Sequence, residues 1–429
     1  MPNPQSGRFS RIRFATPNNY NCPVQILISA GEASGEMYGA QLIEALRARA
    51  AALPAQEGGD SANSLTFFGA GGERMRAAGC EIVVDAKDLA VVGITEILSH
   101  LPKILGLYRK LIRAADEKHP AVGVVIDSPA FNWRVARQMR KRGIPVVYYV
   151  CPQFWAWRQG RVRLLRKYIN KALVIFPFEE KFYRDRGVDA TFVGHPLADL
   201  PAPEISRETY AVANQLDATK PWITLMPGSR RKEVRMNLPT ILDSAARLQQ
   251  DDPASGYAFL LPVARTLDSS FLNELIKTHD GTGSTASLQQ NLHLVPEALP
   301  ALHHSRAAII ASGTATVEAA IMGTPFVMVY RVSPLTYALG KPRVKVPYFA
   351  MVNLIAGEEV VPELVQQKFT AENVVAEMKK IIPDGVLRTR MIERLGAVKS
   401  RLQHGNGGTH PSEAAAEIIL DVMMKSVPE

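Results

Sequence analysis

Short apolar runs alternate with stretches of helical periodicity along nearly the whole chain. The first run, Val24-Gln25-Ile26-Leu27-Ile28, ends in a glycine-containing turn and gives way to a helical pattern over 37–49, which predicts a strand followed by a helix. Comparable runs recur at 66–68, 122–126, 146–150, 172–176 and 191–193, each bounded by Gly, Pro or a helical stretch. The alternation predicts parallel strands joined by crossover helices.

Around Gly194-His195-Pro196 the pattern breaks. The proline-punctuated segment 197–204 cannot form a central strand and reads as a linker. A second series then begins, with strands at 222–226, 257–262, 292–295, 307–310 and 326–330 and helical segments such as 238–249. The fold class expected is α/β, as two facing doubly wound, Rossmann-like domains with an interdomain cleft, because open sheets bind ligands outside the carboxyl ends of their strands.

The expected division is a disordered extension over 1–23, a first domain over 24–198, a second over 199–385, and helices over 386–429 that pack back on the first domain. A Gly/Thr/Ser-rich stretch at 280–287 is expected to be a flexible surface loop. A length of 429 residues, 47% hydrophobic, agrees with two domains, being more than one core usually serves.

Charge adds a partner class. The formal net charge is +9, and the excess is local: 103–171 holds sixteen Lys and Arg against three acids, Asp116, Glu117 and Asp127. Such a stretch suits nucleic acid, acidic lipid headgroups or phosphorylated substrates, and equally a solvated basic face. Segment 90–112 mixes Val, Ile and Leu with Lys103, Arg109 and Lys110, as an interfacial segment does, and also as a core helix with one wet face does. No apolar run reaches the roughly 20 residues that cross a bilayer as a helix, so any membrane contact is expected to be peripheral. Three scattered cysteines, Cys22, Cys80 and Cys151, show no zinc or disulfide spacing and fit a reducing cytoplasm.

Candidate chemistry collects at strand ends. After the first strand, Gly31, Glu32, Ser34 and Gly35 open a helix where backbone can approach a phosphate or sugar, and where an ordinary tight turn is equally good physics. Asp127, in Ile126-Asp127-Ser128-Pro129, projects from a carboxyl end and is the best general-base candidate, its alternative being a helix cap. In the second half, Pro227-Gly228-Ser229-Arg230 with Glu233 forms a credible diphosphate cradle, since guanidinium and exposed N–H groups match phosphate oxygens. The turn Ser312, Gly313, Thr314 and Thr316 opens a helix whose positive end favours an anion, and Glu318 on that helix can accept ribose hydroxyls or simply compensate the dipole. His195 is kept as a cleft-lining candidate, and Trp155 and Trp157 as a packed element or a lipid or sugar platform. With no Asp-X-Asp triplet, no metal and no cofactor are expected, and Arg230, backbone N–H groups and the helix dipole meet the leaving-group charge.

Taken together, Gly31-Glu32-Ala33-Ser34-Gly35-Glu36, Val92-Gly93-Ile94-Thr95-Glu96, Ile126-Asp127-Ser128-Pro129, Trp155-Ala156-Trp157-Arg158 and Phe192-Val193-Gly194-His195-Pro196 closely resemble the lipid-A-disaccharide synthase family. Pro227-Gly228-Ser229-Arg230, Ala311-Ser312-Gly313-Thr314-Ala315-Thr316 and Asn353-Leu354-Ile355-Ala356-Gly357 continue the likeness in the same order. The resemblance implies a GT-B fold and an inverting transfer from UDP-2,3-diacylglucosamine to 2,3-diacylglucosamine 1-phosphate, giving the β-1,6-linked disaccharide phosphate and UDP. It also implies Asp127 as the essential aspartate, Asn353 as a residue of the nucleotide side, a peripheral place on the cytoplasmic side of the inner membrane, and a homodimer through the carboxyl-terminal portion, with no nucleic acid partner. Ala130 stands where the family commonly has a second Asp, Glu36 where Asp is usual and Cys151 where Ser is usual. The rival readings are a peptidoglycan N-acetylglucosaminyltransferase, a UDP-N-acetylglucosamine epimerase and a nonenzymatic anion binder.

Overall fold

Seven parallel strands make the first sheet of the computed structural model: β1 (Val24–Ala30), β2 (Leu65–Gly71), β3 (Cys80–Asp85), β4 (Val122–Ile126), β5 (Val146–Tyr149), β6 (Lys171–Val174) and β7 (Ala190–Phe192). Their spatial order is β3-β2-β1-β4-β5-β6-β7. The structure describes residues 23–31, 33–52, 65–89, 94–264, 266–279, 285–341, 344, 346–403 and 409–425. The expectations placed on 1–22, Glu32, 90–93, 280–284 and 405–408 lie outside the described residues.

The central strands are short and apolar because both of their faces are covered. Every residue of β4 is buried. On one face Leu27, Val125 and Tyr148 meet Val135 and Met139 of the helix Pro129–Lys141 in a continuous core. The helix Ala33–Ala51 packs against the helix Pro411–Lys425, which buries Ala415, Ile419 and Met423. Residues Met1–Pro196 and His404–Glu429 therefore group as one unit, and Leu197–Gln403 as the other.

The second unit holds β8 (Trp222–Met226), β9 (Ala258–Pro262), β10 (Leu292–Val295), β11 (Ala307–Ala311), β12 (Phe326–Tyr330) and β13 (Glu363–Val365), all parallel, in the order β10-β9-β8-β11-β12-β13. Two expectations are corrected here. The helix Val386–Gln403 belongs with the second unit, turning Met391, Leu395, Val398 and Leu402 inward against its helices, and among the described helices after 386 only Pro411–Lys425 packs back on the first unit. The loop expected over 280–287 gives way to a helix at Thr285–Asn291.

The basic segment is also resolved in part. The helix Ile94–Lys118 spends its apolar side on the core, with Leu111, Ile112, Ala114 and Ala115 buried and Ile104 and Leu107 packed against that core. Arg109, Lys110 and Arg113 lie on the exposed side. Among the described residues no helix is long and apolar enough to cross a membrane.

Candidate active site

In each sheet the strand order reverses direction at one place, and there the loops at the carboxyl ends part to leave a crevice. In the first unit this place lies between β1 and β4. The loop after β1 carries Gly31, Ser34 and Gly35, and the loop after β4 carries Asp127. They meet closely: a Cβ on Gly31 would sit 2.4 Å from Ser128 Oγ, so only glycine admits this approach. A Cβ added at Gly35 would meet Ile126 at 3.7 Å, so the first turn of the Ala33–Ala51 helix lies close to the end of β4. Ser34 is exposed, while Glu32 is outside the described residues.

Asp127 and Ser128 are both left-handed, with φ of 46° and 45°. Two such non-glycine residues in succession are unfavourable and persist only where surroundings impose them. The imposing group is Asn132, wholly buried on the helix Pro129–Lys141. Its Nδ2 donates to the carbonyls of Ser29 (3.1 Å), Ile126 (2.8 Å) and Asp127 (2.9 Å), and its Oδ1 accepts from Ser29 Oγ at 2.7 Å. Tyr148 adds a hydroxyl donated to the Asp127 carbonyl at 2.7 Å, and the Asp127 N–H donates to Tyr149 at 3.2 Å. The Asp127 backbone is thus fully committed, and its half-buried side chain is held at the end of β4. Glu36 has a structural task, accepting from the Arg74 N–H at 2.7 Å.

His195 is 1% exposed, its ring 5.2 Å from that of Phe176, and burial drops its pKa to about 3. It stays neutral throughout the physiological range. Trp155 is packed, whereas Trp157 is 45% exposed with the Arg158 guanidinium 4.1 Å over its ring.

In the second unit the reversal falls between β8 and β11. Gly228 follows β8 with φ of +120°, and a Cβ there would press on Glu233 at 3.0 Å, so the turn requires glycine. Arg230 Nη1 donates to Glu233 Oε1 at 2.9 Å, and Thr266 Oγ1 donates to the Ser229 carbonyl at 2.5 Å. Tyr330, at the end of β12, has its phenol pushed up by burial and by Glu233, with Arg230 acting against them. Asn237 parallels Asn132: buried, it donates to the Pro227 carbonyl at 3.1 Å and accepts from the Arg331 N–H at 2.9 Å, tying the β8 turn to the end of β12.

After β11, Gly313 and Thr314 are exposed, Ser312 Oγ donates to the Phe349 carbonyl at 2.9 Å, and Thr316, buried, donates to the Gly313 carbonyl at 2.8 Å. Glu318 is half-buried on the helix Ala315–Met322, and burial raises its carboxyl pKa. Asn353 is expected on the nucleotide side. It is wholly buried and its amide is consumed by the Val360 and Val361 N–H groups, the Val361 carbonyl and Glu363. Glu363 also accepts from Phe349 and Ala350 N–H. Asn353 therefore shapes the segment that Ser312 grips. Sequence reasoning missed Asn132, Asn237, Glu363 and Tyr148, whose partners lie on other strands or loops.

The switch points place Gly31, Ser34, Gly35 and Asp127 together in one unit, and Gly228, Ser229, Arg230, Glu233, Ser312, Gly313, Thr314, Thr316 and Glu318 together in the other. Among solved structures the chain resembles the kitacinnamycin glycotransferase, with a TM-score of 0.60, 16% identity and coverage of 95% of this chain and 100% of that one. It also resembles the UDP-GlcNAc 2-epimerase of Neisseria meningitidis bound to UDP-GlcNAc, with a TM-score of 0.58, 12% identity and coverage of 94% and 100%. These likenesses establish a GT-B-like fold and nothing finer. Sequence separates the alternatives. The lipid-A-disaccharide synthase of Koribacter versatilis is 50% identical over 402 residues, covering 94% of this chain and 99% of that protein. With the family model described as lipid-A-disaccharide synthetase matching residues 26–419, the chain belongs to the lipid-A-disaccharide synthase family of glycosyltransferases.

Proposed function

We propose that the chain transfers 2,3-diacylglucosamine from its UDP donor to the 6-hydroxyl of 2,3-diacylglucosamine 1-phosphate, with Asp127 as general base. Family membership over 26–419 is the observation that carries the reaction. The pinned turn at the end of β4 supports the residue assignment, since a base must be held within hydrogen-bond reach of the proton it takes.

The Asp127 carboxylate removes the hydroxyl proton as that oxygen attacks the donor's anomeric carbon. The bond from that carbon to the diphosphate oxygen breaks, UDP leaves with the electron pair, and configuration inverts. Arg230, the backbone around Ser229 and the turn at 312–314 receive the charge that develops on UDP, so the proposal needs no metal and no cofactor. Glu318 is assigned to the ribose hydroxyls, and Gly31, Ser34 and Gly35 to the acceptor. His195 keeps a packing role beside Phe176.

The basic side of the helix Ile94–Lys118, with Leu105 41% exposed, supports a peripheral place at the inner face of the membrane, where both acylated sugars reside. A homodimer belongs to the same proposal and rests on the family resemblance alone. The test is mass spectrometry of products formed from both acylated glucosamines in detergent. The expected product is the disaccharide 1-phosphate with UDP. Asp127→Asn should lower kcat by about 100- to 10,000-fold while leaving the thermal unfolding midpoint near that of the parent. Undiminished turnover would remove Asp127 from the chemistry.

A further inference from the structure

The loop after β5 runs beside the Asp127 turn, because β5 is the neighbour of β4 and Tyr148 donates its hydroxyl to the Asp127 carbonyl. A carboxylate holds that loop from behind. Glu179 is 1% exposed in the first turn of the helix Pro177–Arg184, and its two oxygens accept from Trp155 Nε1 at 2.7 Å, the Ile175 N–H at 3.2 Å and the Phe176 N–H at 3.1 Å. Tyr183 of the same helix donates its hydroxyl to the Pro152 carbonyl. Ring contacts extend the clamp: Trp155 meets Phe178 edge-on at 4.9 Å, Phe178 stacks on Phe176 at 5.8 Å, and Phe176 leans on His195 at 5.2 Å. Glu179 thus ties two members of this row together, through the indole of Trp155 and the backbone of Phe176.

A buried carboxylate without a cationic partner is a costly way to secure a loop. No ion pair is formed at Glu179 among the described residues. An apolar residue at this position would pack without that cost but leave the indole and two N–H groups unmet. The expense is explicable where loop geometry matters more than stability.

We infer that Glu179 is a positioning residue for glycosyl transfer, fixing the 150–157 loop so that the acceptor sugar is seated against the Asp127 turn. The inference rests on the reading of Asp127 as base and of this unit as the acceptor side. Burial raises the Glu179 carboxyl to about 7 against the opposing pull of its three N–H donors. The titratable groups facing it are Cys151 from the loop and Tyr183 from its own helix, both pushed well up by burial, so neither titrates with it. Protonation puts a hydrogen on an oxygen that already accepts an N–H, and the clamp loosens.

The test measures kcat and acceptor KM between pH 5.5 and 8.5 for the full chain and for Glu179→Gln, Trp155→Phe and Asp127→Asn, with UDP affinity measured in parallel. Glu179→Gln should raise acceptor KM about tenfold, as loss of one charged hydrogen bond does, with UDP affinity unmoved. In the parent, acceptor KM should climb as pH falls through about 7, and this limb should vanish in Glu179→Gln. Trp155→Phe should show a smaller rise, and the double variant should fall short of the product of the two. Parental acceptor KM and an intact limb in a folded Glu179→Gln would overturn the inference even with Asp127→Asn inactive. Full activity of Asp127→Asn would instead strike at the base assignment. If Glu179→Gln fails to fold, an unchanged acceptor KM in Trp155→Phe overturns the inference alone.

Discussion

Replacing Asn132 by Asp changes one atom's chemistry and leaves volume and shape alone. The atom that donates to the Ser29, Ile126 and Asp127 carbonyls becomes an oxygen facing three other oxygens. Only Ser29 Oγ–H remains as a donor to the new group. An ionised carboxylate cannot persist there, and it escapes by taking up a proton. For a carboxyl with an unfolded pKa near 3.9, holding that proton at pH 7 costs about 4 kcal/mol, and at pH 5 about 1.5 kcal/mol. The protonated acid returns one donor of the two amide hydrogens, so a further loss of about 1 kcal/mol applies at both values. The variant's carboxyl has its folded pKa raised, so its stability is greatest below the unfolded pKa and declines as pH rises towards the folded one. Urea unfolding followed by tryptophan fluorescence should therefore show Asn132→Asp about 5 kcal/mol weaker at pH 7, with roughly half of that deficit recovered at pH 5. Equal stability of variant and parent at both pH values would refute the role assigned to Asn132.

Two further outcomes follow from the glycine approach and the cradle. Gly31→Ala places a methyl 2.4 Å from Ser128 Oγ. The strain of about 1–3 kcal/mol should appear as a fall in acceptor kcat/KM of roughly tenfold or more with unaltered UDP affinity, and parental kinetics would contradict the close packing of the two loops. Arg230→Ala should weaken UDP binding in calorimetry by about 10- to 100-fold, and Arg230→Lys should restore little of it, since an ammonium lacks the planar fork. Undisturbed binding in both would remove Arg230 from the cradle.

Strands such as β4 and β8 were legible because an unbroken apolar run between turn residues has few other fates. β13, with three residues, and β3, which begins only three residues after a short helix, carry too little local signal and depend on the neighbouring strand for existence. The site divided in the same way. Asp127, Arg230 and Gly228 could be named because strand-end loops expose them and their chemistry is conspicuous. Asn132 and Ser29 are 103 positions apart, and Glu179 and Trp155 are 24 apart, so their pairing exists only once the sheet has formed. The motif assigns Asn353 to the nucleotide side but does not disclose that its buried amide bonds loop backbone. A motif identifies which residues matter more readily than what each touches.

The helix Pro411–Lys425 lies on the helix Ala33–Ala51, with Arg49 and Glu417 joined at 2.6 Å. The partner surfaces of the first lobe are thus separated by the entire second lobe in the order of synthesis. While the ribosome is still producing residues 197–403, the helix Ala33–Ala51 lacks the helix Pro411–Lys425 that covers it, and apolar surface left open in this way favours aggregation. Completion of the first lobe is thereby tied to arrival of the helix Pro411–Lys425, and a chain halted before it carries a second lobe without a finished counterpart.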